Sequence, residues 1–138
     1  MDVYCTTRFI TEIVKLSKNN SYNLVINDVC DYLINKSIQE LHITNDLLVN
    51  GNDTYSLHKY RIKNSLTNKG KSSSYRCVSV CLPKTDLIIL GSIYPKTGSD
   101  GIENLSKEEY KTIAKEIAEG KNNNTLKKLD IKNKIINI

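Results

Sequence analysis

Three runs in the middle of the chain, residues 55–63, 75–82 and 87–94, are short, rich in Tyr, Val, Ile and Cys, and bounded by turn residues. That is the signature of strands. Pro83-Lys84-Thr85-Asp86 joins the last two and leaves room only for a tight hairpin. A chain with this centre is committed to an antiparallel sheet, and its other segments must cover that sheet or extend it. The first two runs are separated by an Asn/Lys/Gly/Ser-rich loop, residues 64–74, longer than a simple turn requires.

The flanking segments read as helices. The short apolar opening at residues 3–5 is the exception and reads as a strand; after it Phe9, Ile10, Ile13 and Val14 recur at helical spacing, with Thr6 or Thr7 placed to cap the first turn. Beyond the Asn19-Asn20-Ser21 break, Val25, Ile26, Val29, Cys30, Leu33 and Ile34 repeat the pattern, which residues 35–39 end. Two such helices in succession predict a helical hairpin. Residues 44–54 are polar apart from 47–49 and carry the turn pair Asn50-Gly51. Further on, Ser106 and Glu109 form a capping-box pair ahead of Tyr110, Ile113, Ala114 and Ile117, one apolar stripe that runs to Gly120.

These elements predict an α+β fold: a helical hairpin packed on a small antiparallel sheet, with a C-terminal helix and the other sheet face partly exposed. At 138 residues the expectation is a single domain over residues 1–120, followed by a tail, 121–138, that is frayed or weakly helical. The longest apolar run, residues 87–90, is far too short to span a bilayer, and the N-terminus lacks a signal-peptide core, so the expected protein is soluble and cytoplasmic. Cys5, Cys30, Cys77 and Cys81 show no metal-ligand spacing. Cys77 and Cys81, four apart on one strand, lie too far from each other for a disulfide, and buried free thiols are expected.

The charge distribution is uneven. From Thr54 to Thr85 there is no acidic residue, while Lys59, Arg61, Lys63, Lys69, Lys71, Arg76 and Lys84 supply seven cations, more than the net +5 of the whole chain. Basicity concentrated on one loop and its strands points to phosphate groups. The bland alternatives are that the lysines form a solvated face, that Arg76 makes a structural salt bridge, and that Tyr94 packs in the core. His42 and His58 stand alone in the sequence and receive no role.

Four segments carry a more specific signal: Leu57-His58-Lys59-Tyr60-Arg61-Ile62, then Lys69-Gly70-Lys71-Ser72-Ser73-Ser74-Tyr75-Arg76-Cys77-Val78, then Ile93-Tyr94-Pro95-Lys96, and Leu105-Ser106-Lys107-Glu108-Glu109. In this order they resemble the HigB-like branch of the RelE/ParE toxin superfamily, over about residues 55 to 117. The chain departs from the family pattern at Ser73-Ser74, where a Gly-Gly pair is usual, and at Pro95.

The resemblance implies the toxin of a type II toxin-antitoxin system. Such a protein enters the ribosomal A site, cuts mRNA there and is silenced by a protein antitoxin. The implied chemistry is metal-independent and cofactor-free: the ribose 2′-hydroxyl attacks the adjacent phosphate, leaving a 2′,3′-cyclic phosphate and a 5′-hydroxyl. That reaction needs a base, charge stabilisation at phosphorus and a proton for the leaving oxygen.

On the resemblance, Arg76, Lys71, Lys69 and Tyr94 are the catalytic candidates, with Lys59, Arg61, Lys63 and Lys96 holding RNA. Arg76 is the first choice to grip the transition state, because its planar fork meets two oxygens at once. Lys69 and Lys71 would stabilise charge or act as base, and Tyr94 would stack on a nucleobase or carry a proton. Arg76 is expected to be exposed, so that its loss leaves stability unchanged. Two other readings are a non-enzymatic binder on the same fold, such as the ParE-like gyrase poisons, and an RNA- or ribosome-binding module that has lost catalysis.

Overall fold

In the computed structural model, which describes all residues except 45, 68–73, 98–100 and 103, the three central strands form as the sequence predicts. They are β3 (Tyr55–Ile62), β4 (Tyr75–Leu82) and β5 (Leu87–Pro95), antiparallel in turn. A single 3-10 turn, Pro83–Thr85, closes the β4–β5 hairpin, with Asp86 in the left-handed region at φ 52. The sheet is larger than the small antiparallel one expected. Among the described residues it has seven strands, in the order β2-β3-β4-β5-β1-β6-β7.

The additions come from three segments. The apolar opening forms the strand the sequence predicts, β1 (Asp2–Cys5); its parallel pairing with β5, which makes the sheet mixed, is the new feature. Residues 47–51, read from the sequence as a polar connection, form β2 (Leu47–Gly51) on the edge beside β3. The C-terminal segment, expected to be a frayed tail or weak helix, instead forms β6 (Lys127–Asp130) and β7 (Ile135–Asn137), a hairpin added to the β1 edge. Leu129 explains this: it is 2% exposed in the main core, with Ile131 and Ile136 packed against that core beside it. The Asp130 carboxylate accepts from the Lys132 and Asn133 backbone amides and fixes the turn.

Helices cover both faces. On one lie α1 (Thr7–Ser17), α2 (Val25–Leu33) and the short α3 (Ile38–His42). Thr6 caps α1, its hydroxyl accepting from the Phe9 amide at 3.2 Å, and Phe9, Ile13 and Leu16 carry the buried face. Val14 and Ile34, counted in the apolar stripes, are exposed. The third helix was not expected: residues 35–39 end α2, but Ser37 and Glu40 form a capping box that starts a new helix at once.

On the opposite face lies α4 (Lys107–Asn122), started by the Ser106/Glu109 capping box. Ile113 and Ile117 pack there on Leu57, Val78 and Ile89. The second face, expected to be partly exposed, is covered by α4 over β4 and β5. The four cysteines are free and buried. Among the described residues no helix is long and apolar enough to cross a membrane.

Candidate functional site

Strand register assembles the site. Arg61 of β3 pairs with Arg76 of β4, and Arg76 pairs with Tyr94 of β5, so the three side chains stand in one row across the sheet. Tyr94 belongs to the α4-side core, which places the row on that face. Lys59, two residues before Arg61, points the same way, its Nζ 5.9 Å from the ring centroid of Tyr110 in the first turn of α4.

Burial within the row is graded. Arg61 is exposed, whereas Arg76 is 4% and Tyr94 3% exposed. The Arg76 guanidinium donates through Nη1 to the carbonyls of Ser74 and Tyr75, at 3.3 and 3.4 Å. Burial lowers its pKa, and the neighbouring Arg61 charge lowers it further. Two guanidiniums side by side repel, and an anion set between them would relieve both. Among the described residues no carboxylate forms an ion pair with Lys59, Arg61, Lys63 or Lys96; the acidic partners serve Arg8, Lys111, Lys115, Lys128, Lys134 and the N-terminus.

Arg76 is therefore not the exposed residue expected, and its removal will touch packing as well as charge. Tyr94 likewise presents no free ring face, so base stacking falls away and its hydroxyl remains. Burial raises that hydroxyl's pKa, as does the neighbouring Tyr110, while Arg76 opposes the rise. It is a neutral donor rather than a base.

Tyr110 was read as part of an apolar stripe. It is half-buried, close to Tyr94 and Lys59, and the signal available was its position just inside the capping box of α4. Lys63 is exposed just past β3, and Lys96 follows β5, its amide donating to the Ser74 carbonyl at 3.3 Å. Lys69 and Lys71 lie outside the described residues. The start of their loop is pinned to the α1–α2 connection and to α2: Asn64 Nδ2 donates to Ser21 O, and the Ser65 amide to the buried Asp28 carboxylate of α2, each at 3.0 Å.

A second polar cluster lies under α3. Ser56 Oγ sits 2.7 Å from His42 Nδ1 and 2.6 Å from His58 Nε2, and His58 Nδ1 is 3.1 Å from Thr44 Oγ1. His58 is fully buried and stacks on Tyr60. The two histidines left without a role in the sequence are thus partners through one serine. Among the described residues no group of three or more His, Cys, Asp or Glu side chains is arranged to hold a metal ion. Comparison with protein-family models, with curated proteins and with solved structures yields no match.

Proposed function

We propose that this chain is a RelE/HigB-type toxin on a RelE-like fold, a ribosome-dependent mRNA endoribonuclease that blocks translation in the cytoplasm and is restrained by a protein antitoxin. The observation that carries the reading is the Arg61–Arg76–Tyr94 row: two adjoining cations and a neutral hydroxyl on one face, beside strand ends that lead into a loop with Lys69 and Lys71. An isolated solvated charge face needs no such register.

In the proposed reaction the 2′-oxygen forms a bond to phosphorus as the bond to the 5′-oxygen breaks. The 2′ proton passes to a base, and the leaving 5′-oxygen takes up a proton. Arg76 and Arg61 are suited to the charge that builds on the non-bridging phosphate oxygens, in a setting where burial strengthens each contact. The Tyr94 hydroxyl is suited to donating a hydrogen bond there, and Lys69 or Lys71 to serving as base. Lys59, Lys63 and Lys96 would hold flanking phosphates.

The burial of Arg76 favours one second reading, an RNA- or ribosome-binding module without catalysis. Inducing the chain without a partner and mapping mRNA 5′ ends separates the two. New 5′ ends within translated codons, with growth arrest, are expected; arrest without new ends supports the binder, and normal growth with high yield of folded protein refutes both.

A further inference from the structure

Regular alternation along β5 would point Tyr94 away from the cation row. Ile88 and Leu90 face the α1-side core and Ile89 faces the α4 side, so an uninterrupted strand would send the even-numbered Tyr94 with Ile88 and Leu90. Instead Ile93 faces α1, and Tyr94 faces α4. The switch occurs at a bulge: Val78 pairs with Ser92 but Ser79 pairs with Leu90, which leaves Gly91 as the extra residue.

The bulge is held from both faces. On the α4 side Gly91 carries no side chain, and a Cβ there would stand 2.6 Å from Ile117 Cδ1 and 2.8 Å from Ile113 Cγ2. On the α1 side the Thr6 amide donates to Leu90 O at 3.1 Å, and Thr6 Oγ1 to Gly91 O at 3.1 Å. Two turns along α1, the Glu12 carboxylate receives the rest of the bulge. Its Oε1 accepts from Ser92 Oγ at 2.9 Å and from the Ile93 amide at 3.1 Å, and its Oε2 lies 3.1 Å from Ser92 Oγ. Burial raises the Glu12 pKa, and these hydrogen bonds and the Arg8 guanidinium, itself paired with Glu116 of α4, oppose that rise.

We infer that Glu12 is a positioning residue for the cation row: by accepting the bulge's donors it fixes the reversal of β5 that puts Tyr94 beside Arg76. Without an acceptor at this place the Ile93 N–H and the Ser92 hydroxyl lose their partner inside the protein, and the strand gains by sliding back toward regular pairing, which turns Tyr94 off the row. The sequence holds no hint of this, since Glu12 is a lone acid on a helix whose partners lie eighty residues away. The catalytic consequence rests on the proposed function, whereas the placement of Tyr94 does not.

The test compares Glu12→Ala and Glu12→Gln with wild type in two measurements: NMR contacts of the Tyr94 ring and exchange of the Ile93 amide, and cleavage of ribosome-bound mRNA alongside ribosome binding. Glu12→Ala is expected to lose the proximity of Tyr94 to Tyr110 of α4 and to cut about 10²-fold more slowly while still binding ribosomes, as misplacement of a reacting group by about an ångström does. Glu12→Gln keeps one acceptor oxygen and is expected to restore both. A folded Glu12→Ala with wild-type contacts and rate overturns the inference. If Glu12→Ala does not fold, the glutamine variant decides, and free exchange of its Ile93 amide with an unchanged rate overturns the inference equally. Wild-type protein that cuts nothing refutes the nuclease reading and leaves the NMR contacts to judge the placement of Tyr94.

Discussion

Acidification should destabilise this protein through His58. The imidazole is fully buried between Ser56 and Thr44 and stacked on Tyr60, and burial, reinforced by His42 and opposed by Asp46, lowers its pKa from 6.5 to about 4. Between those two values the unfolded chain carries a proton on His58 that the folded chain refuses, so stability present above pH 6.5 is lost as pH falls toward 4. With one pKa unit equal to about 1.4 kcal/mol, the loss is about 2 kcal/mol at pH 5 and about 3 kcal/mol at pH 4. Glu12, whose pKa is raised, works in the opposite sense. It is common to wild type and a His58→Gln variant, so the difference between their curves isolates His58. Urea unfolding followed by far-UV circular dichroism suits a chain that has no tryptophan. The expected result is that wild type loses about 2 kcal/mol more than the variant between pH 7 and pH 5. Parallel curves would refute the reasoning and mean that the imidazole is as well solvated in the fold as out of it.

Other outcomes follow from packing. Gly91→Ala should destabilise the protein by about 1 to 3 kcal/mol, because the new methyl meets Ile113 and Ile117 and α4 must lift; an unchanged urea midpoint would show that α4 has slack there. Leu129→Ala should cost about 2 to 4 kcal/mol, and a loss below about 0.5 kcal/mol would return the C-terminal hairpin to the status of a loose tail. Lys84→Ala, on the exposed β4–β5 turn away from the cation row, should change neither stability nor RNA cleavage, by melting curve and cleavage rate.

What could be read in the sequence was what depends on neighbours along the chain. The β4–β5 hairpin, the Thr6 cap of α1 and the Ser106/Glu109 box of α4 are local signals, and each appears where it was read. Elements held by distant partners were not legible: β2 finds its bonds only beside β3, and β6 is fixed by its pairing with β1 and by Leu129 in a core built from earlier segments of the chain. Within the site, the sequence supplied Lys59, Arg61, Arg76 and Tyr94 as residue types, and the register that aligns Arg61, Arg76 and Tyr94 is a tertiary fact. Tyr110 and Glu12 escaped because a tyrosine in an apolar stripe and an acid on a helix are ordinary until a partner strand is placed beside them. The burial of Arg76 was missed for a related reason: nothing local reveals that α4 closes the face on which it stands.

The central claim, that the Arg61–Arg76–Tyr94 row cuts RNA, is tested most directly by the single-turnover rate at which purified protein cleaves ribosome-bound mRNA, wild type against Arg76→Lys. Lysine keeps the charge and much of the buried stem but loses the fork, so folding and ribosome binding should persist. Cleavage should fall by about 10²- to 10³-fold, and wild-type products should end in a 2′,3′-cyclic phosphate. Equal rates in the two folded proteins would contradict the account and place the chemistry elsewhere.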